Sequence, residues 1–364
     1  MEYIFILGRN PELSILELQS FFGNFVYTRN KNAILAELPA LKKGIISRFG
    51  GVIAIGEVLA DEINLNKKIG GLSLYYTSKN KLNYVVWDFT DKIEFFDEVK
   101  EKLKIKFKEE KLKATEKKVS NFMKMQSGQE VKNLASKKLI DEQYFVFENK
   151  LGRIIETCDY EELERNDMEK PVRRESLSIS PRLAKIMINL SKSNSGEILV
   201  DPFCGIGVVL QEALRLGINV IGIDKDPDAI SGLLKNLKWG KFSEDKYMII
   251  NGDSGKIKVK KSNVIATEPY LGEVLKSLPD KEKSMQMIKE YEEIIIKVLR
   301  NFKENISGRF VFTAPFIKTA SRKGIKRIGC NSNKILNNTG LRLVEGFPIQ
   351  EFRENQIVGR EILF

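Results

Sequence analysis

The sequence predicts an α/β protein. Its C-terminal half is a doubly wound, mostly parallel sheet ending in an antiparallel hairpin, and an α+β region precedes it. Three observations predict this. From Ile198 onward, short apolar runs alternate with segments of helical periodicity, the pattern of successive βαβ units. The first such unit, EILVDPFCGIGVVLQEALRLGINVIGID, has two close glycines after its first strand and an acid after each strand. Before about residue 160 the alternation is irregular and lysine is abundant.

Composition narrows the chemistry. With 364 residues and 42% hydrophobic content, the chain can hold two or three domains, each with a core. It has no apolar run of membrane-spanning length and no signal-peptide pattern, so it reads as cytosolic, with no membrane partner. The three cysteines, Cys158, Cys204 and Cys330, are too far apart for a disulfide framework or a zinc site. Histidine is absent, which removes the commonest general base and metal ligand, so no metal is expected and catalysis must rest on carboxylates, backbone or positioning. A net charge of +11 favours a polyanionic partner.

In chain order, MEYIFIL is β-prone. Asn10-Pro11-Glu12 caps a helix running to Phe22 and stopped by Gly23. Ala33–Leu38 and Gly51–Leu59 read as strands around a helix at Leu41–Phe49, giving an α+β module over residues 1–65. Residues 66–158 form a second module. Leu72–Phe89 supplies two strands turning at Lys79-Asn80, and Phe96, Val99, Leu103 and Phe107 make one helical stripe. A strand, a helix bearing Lys132, Lys137 and Lys138, and the strand pair Tyr144–Phe147 and Arg153–Glu156 follow. Residues 159–175, DYEELERNDMEKPVRRE, are polar and charged and read as a linker. Residues 176–364 are the last domain, opened by Ser180-Pro181 and an amphipathic helix.

The glycine loop decides which cofactor this domain holds. A dinucleotide site needs Gly-x-Gly-x-x-Gly with pyrophosphate on the helix N-terminus. Here Leu210 takes the third glycine position, and Asp201 stands where the phosphates would lie. That carboxylate repels a pyrophosphate and suits the ammonium group of S-adenosylmethionine. Asp224 is placed to accept hydrogen bonds from ribose hydroxyls. The candidate cofactor residues are Asp201, Pro202, Phe203, Gly205, Gly207, Asp224, Lys225 and Asp253; the bland alternative is a βαβ unit with an ordinary turn. After Asp224 come a helix at Ala229–Trp239 and strands at Tyr247–Ile250, Ser262–Thr267 and Arg309–Thr313. A long helix, Ser284–Phe302, lies between the last two strands, and a hairpin of Leu341–Pro348 and Val358–Phe364 closes the sheet.

The segment KVSNFMKMQSGQEVKNLASKKLIDEQYFVFENKLGRIIE resembles the THUMP RNA-binding module, and GRNPELSILEL resembles the leader that precedes it in one family. With the DPFCGIG loop and the C-terminal VGREILF, the chain resembles the THUMP-containing tRNA guanosine-10 N2-methyltransferases. The resemblance implies a Rossmann-like class I S-adenosylmethionine-dependent methyltransferase domain, with Asp253 contacting the adenine amine; Asp253 also reads as a turn residue.

Methyltransferases acting on exocyclic amines resemble one another at a fourth-strand motif, Asp/Asn/Ser-Pro-Pro-Tyr/Phe. Such an amine is a poor nucleophile until two acceptors grip its hydrogens. One is the first side chain and the other is the next residue's carbonyl, while the aromatic ring stacks on the flipped base. This chain aligns as Thr267-Glu268-Pro269-Tyr270. The Glu268 carbonyl serves as a proline carbonyl would, and Thr267 offers only a hydroxyl. Glu268, as an uncompensated carboxylate, is expected to face the substrate amine.

The run from Ile317 to Arg342 holds seven basic residues and no acid, and reads as a phosphate-facing loop. The candidate RNA contacts are Lys132, Lys137, Lys138, Arg173, Arg174, Arg322, Lys323 and Arg327. These readings predict an enzyme that methylates the N2 amine of a guanosine in tRNA. The rivals are a DNA adenine or cytosine amino-methyltransferase, and an inactive RNA-binding protein that kept the fold. Oligomeric state is not legible.

Overall fold

The computed structural model describes residues 1–72, 80–117, 122–124, 130–132, 140–174, 179–272, 275–321, 324–344, 349–351 and 356–364. The chain divides into two units, one essentially Met1–Arg165 and the other essentially Asn166–Phe364, with Leu16–Phe21 grouped with the second.

The first unit begins with β1 (Glu2–Leu7), α1 (Pro11–Phe22), β2 (Tyr27–Asn30) and β3 (Ala33–Glu37), and continues with β4 (Val52–Asp61), α2 (Leu65–Gly70), β5 (Lys81–Phe89), α3 (Ile93–Glu109) and β6 (Lys113–Glu116). After β7 (Phe122–Lys124) and β8 (Glu130–Lys132) come β9 (Glu142–Phe147) and β10 (Lys150–Thr157). One sheet runs β2-β3-β1-β4-β10-β9-β5-β6, so residues on both sides of position 65 share it. Its strands pair antiparallel up to β9, and β5 then lies parallel to both β9 and β6. Alternate residues of β9 serve opposite faces: Tyr144 and Val146 pack with Val99, Leu103 and Phe107 of α3, and Phe145 and Phe147 with Ile4, Ile6 and Trp87. Phe95 rather than Phe96 leads the buried α3 stripe.

Several expectations are corrected here. Leu41–Phe49 contains only a short 3-10 turn at Ile45–Arg48, because the helix-breaking Gly44 sits at its start with φ +82°. Lys132 lies on a strand, not a helix: β8 pairs with β7 in a separate two-stranded ribbon. The expected linker contains helix α4 (Tyr160–Met168), and the division between the two units falls within it. The first of the two strands expected over Leu72–Phe89 falls on residues 73–79, outside the described residues, as do Lys137 and Lys138.

The second unit continues with α5 (Pro181–Leu190), β11 (Ile198–Asp201), α6 (Val208–Arg215), β12 (Asn219–Asp224) and α7 (Pro227–Trp239). Then come β13 (Tyr247–Asn251), β14 (Val264–Thr267), α8 (Lys281–Phe302), β15 (Phe310–Ser321) and β16 (Gly324–Ile328), and finally α9 (Ser332–Thr339), β17 (Ile349–Glu351) and β18 (Val358–Leu363). Its sheet runs β13-β12-β11-β14-β15-β18-β17, with β16 hairpinned onto β15. The first five strands are parallel and β18 is antiparallel to β15. Strand order reverses between β11 and β14, so the crevice outside their C-terminal ends is the natural ligand site of such a sheet.

The expected closing hairpin shifts: β17 pairs with β18, and Leu341–Val344 forms no strand. The expected basic loop is structured as the extended β15–β16 hairpin and α9, whose Ile335 side chain is buried in the sheet's core. Among the described residues no helix is long and apolar enough to cross a membrane.

Candidate active site

Both predicted motifs meet at the strand reversal. Asp201 ends β11 and Thr267 ends β14, and the threonine hydroxyl donates to Asp201 Oδ1 at 2.5 Å. The Phe203 N–H donates to the same oxygen at 3.1 Å, and among the described residues Oδ2 accepts no hydrogen bond. Asp201 is only 2% exposed, and burial pushes its carboxyl up to about 7 even though both hydrogen bonds pull it down. A buried carboxylate with a free oxygen is a site that a cation would stabilise.

The loop after Asp201 is held from several sides. The Cys204 N–H donates to the Ile223 carbonyl at 3.0 Å, and the Gly205 N–H donates to Asp224 Oδ2 at 2.8 Å. Asp224 Oδ1 accepts from the Asp226 N–H at 2.9 Å. This leaves each oxygen of Asp224 with accepting capacity toward a diol. Gly205 has φ +49°, and a Cβ there would meet nothing within 4 Å, so the loop backbone is open to close approach by a ligand. Gly207 is tight instead: at φ +86°, its Cβ would fall 2.1 Å from Leu233 Cδ1 of α7. The Ser254 hydroxyl donates to the Pro202 carbonyl. These groups fit S-adenosylmethionine, with Asp201 for its ammonium group, Asp224 for its ribose, and the Gly205 backbone alongside.

Asn236 was not foreseen. It is fully buried on α7, where its Nδ2 donates to the Ile206 carbonyl (3.1 Å) and the Val172 carbonyl (3.1 Å), and its Oδ1 accepts from the Val172 N–H (3.0 Å). A polar residue on the apolar face formed by Ala229, Leu233 and Leu237 was the visible sign of it. Replacing Asp224 with Ala should weaken S-adenosylmethionine binding by about 1–3 kcal/mol, the cost of stranding hydrogen-bonding groups. Titration calorimetry checks this, and an unchanged affinity would remove Asp224 from the site.

The reactive turn differs from expectation at Glu268. Its carboxylate is compensated within the chain, because Arg360 of β18 pairs with it through Nε at Oε1 and through Nη2 at Oε2 (3.4 Å). Thr313 Oγ1 also lies 3.4 Å from Oε1. The side chain therefore does not stand free to receive a substrate amine. Thr267 is 1% exposed with its proton committed to Asp201, Pro269 is buried, and the Tyr270 ring is 60% exposed, open for stacking.

The remaining candidates separate. Asp253 is exposed and forms a surface pair with Lys297 at 2.9 Å, which with the Gly255 N–H holds its carboxyl below the usual range. Lys225 is exposed. Arg174 pairs with Asp226 at 2.9 Å beside the end of β12, and Arg173 is half-buried. Arg327 is corrected as a phosphate contact. Its guanidinium donates to the carbonyls of Phe316 (3.1 Å) and Gln356 (2.6 Å) and lies 5.7 Å from the Phe316 ring centroid, so it caps backbone instead. Arg322 and Lys323 lie outside the described residues. Burial pushes the Cys204 and Cys330 thiols up, which makes both poor nucleophiles.

The chain is similar to several known proteins. A family model described as DNA methylase matches residues 25–235, and one described as RMKL-like, methyltransferase domain, matches residues 171–315. The tRNA (guanine(10)-N2)-dimethyltransferase of Methanothermobacter thermautotrophicus is 33% identical over 115 residues, 31% of this chain and 33% of that protein. The enzyme of the same name from Pyrococcus abyssi is 30% identical over 174 residues, 46% of this chain and 48% of that protein. The chain thus spans between a third and a half of these two relatives. The solved structure of TrmN from Thermus thermophilus shares the fold, with a TM-score of 0.50 at 12% identity over 100% of this chain and 99% of that one. The resemblance read from the sequence meets these relatives by name.

Proposed function

Because the chain belongs to the family whose model is described as DNA methylase, we propose that it is an S-adenosylmethionine-dependent methyltransferase acting on the exocyclic N2 amine of a guanosine in tRNA. The observation that carries this reading is the hydrogen bond between Asp201 and Thr267 at the strand reversal. It sets the donor-side acid against the acceptor turn, with the Tyr270 ring exposed beside them. The choice of tRNA and of the guanosine N2 amine follows the relatives named for that reaction. S-adenosylmethionine, when bound, supplies an electrophilic methyl group on sulfonium. Asp201 and Asp224 hold and orient the donor, Tyr270 stacks the extruded base, and the Glu268 carbonyl accepts a hydrogen bond from its amine. The lysine-rich first unit, proposed to comprise the modules 1–65 and 66–158 with a THUMP-like second part, would grip the RNA backbone.

The family's own description favours DNA as a second reading. Incubating the protein with labelled S-adenosylmethionine and either bulk tRNA or duplex DNA separates the two, followed by digestion to nucleosides and mass spectrometry. N2-methylguanosine or N2,N2-dimethylguanosine from tRNA is the expected product. N6-methyladenine or N4-methylcytosine from DNA would replace this reading, and label in neither would remove it.

A further inference from the structure

We propose that Arg360 is a positioning residue for methyl transfer. Clamped to Glu268, it fixes the backbone of the Thr267–Tyr270 turn where related motifs use the ring of a proline. This deepens the reading above and rests on it.

The atom that matters at position 268 is its main-chain carbonyl, because that is the group offered to the substrate amine. A proline there would lock φ through its ring. Pro269 biases residue 268 toward extended backbone, but glutamate leaves φ free within that range, and a further restraint on φ has to come from elsewhere. The structure supplies one through the side chain. Thr267 pairs with Phe312 in the β14–β15 ladder, and Thr313 approaches Glu268 from the adjacent strand. One strand further on, Arg360 is opposite Pro315 of β15 and Glu351 of β17, so its backbone is paired on both edges. Its planar guanidinium meets both carboxylate oxygens of Glu268, a two-point contact that fixes orientation as well as distance. The Glu268 and Arg360 side chains are 10% and 19% exposed, so little water competes for either partner. With its far end held by β18, the Glu268 side chain limits the Cα–Cβ direction and so narrows the range of φ open to residue 268. The chain replaces a restraint built into the backbone by one reaching across three strands.

A purely structural ion pair would not distinguish the turn from the rest of the sheet, and would not be replaced by a proline. The test therefore pairs Arg360→Met with Glu268→Pro/Arg360→Met, which removes the ion pair and restores the proline. Single-turnover transfer from labelled S-adenosylmethionine to bulk tRNA should slow about 10- to 100-fold in Arg360→Met, the scale of a misplaced reacting group, with donor affinity within about twofold. The double variant should recover most of the lost rate. A double variant no faster than Arg360→Met, or an Arg360→Met variant at the parent rate, overturns the proposal. Amide hydrogen exchange at residues 270–272, measured without substrate, should rise in Arg360→Met and fall back in the double variant. Unchanged exchange overturns the clamp whatever the rates. The expected exchange pattern in a protein that methylates no nucleic acid supports the clamp and removes the methyltransferase reading.

Discussion

A Gly207→Val variant should lose about 3 kcal/mol or more of stability and, with it, measurable donor binding. Two costs add. The residue sits at φ +86°, where a β-branched side chain is strained, and its Cβ would fall 2.1 Å from Leu233 Cδ1 on α7, which is fully buried. Neither α6 nor α7 can retreat easily, because Asn236 ties α7 to the same loop at Ile206. Gly205→Ala is the instructive contrast. At φ +49° with nothing within 4 Å, it should cost only about 1 kcal/mol of stability while placing a methyl group where a ligand must approach. Denaturant unfolding and calorimetry separate the two variants. A valine at 207 with the parent's midpoint, or an alanine at 205 with the parent's donor affinity, would contradict the geometry.

Asp201→Asn should weaken donor binding by roughly 2–5 kcal/mol, the range for losing one partner of a buried, hydrogen-bonded charge pair. The same substitution should change how stability depends on pH. Burial raises the Asp201 carboxyl from 3.8 to about 7 in the folded, ligand-free protein. A group whose folded value is raised contributes stability below its unfolded value, and that contribution is lost as pH climbs through the folded one. Between about pH 4 and pH 7 the parent should therefore lose a few kcal/mol from this group. The asparagine variant, with nothing to ionise there, should lack that loss. Donor affinity in the parent should rise over the same window, since only the ionised carboxylate attracts an ammonium group. Parallel stability curves for parent and variant from pH 4 to 8 would show that Asp201 stays ionised and paired throughout.

The C-terminal sheet was legible because its information is local. Each βαβ unit carries its own apolar runs and turn residues, and the Asp201–Asp224 constellation falls within one unit. The largest error arose where a residue's partner lies far along the chain. Glu268 read as uncompensated because Arg360 is 92 positions away and joins it only once β18 has been laid beside β15. Arg327 read as a phosphate contact because a run of basic residues does not reveal that one of them turns back onto the carbonyls of Phe316 and Gln356. Lys132 was assigned to a helix because short, lysine-rich strands lack the apolar alternation that separates strand from helix. Asn236 was passed over because its neighbours Leu233 and Leu237 gave the helix an adequate apolar face without it.

The place of β18 between β15 and β17 also gives the molecule a timetable. On a ribosome, the segment carrying Asp201, Gly205, Gly207 and Asp224 is made first, and its strands can pair as they emerge. The turn at Glu268 follows, yet its anchor is translated 92 residues later. At about 5–20 residues per second, that is a gap of roughly 5–20 s. During this interval the Glu268 carboxylate lacks the arginine that meets it in the finished sheet. The turn at Glu268 thus reaches its finished set of side-chain contacts only when the sheet receives the strand that bears Arg360.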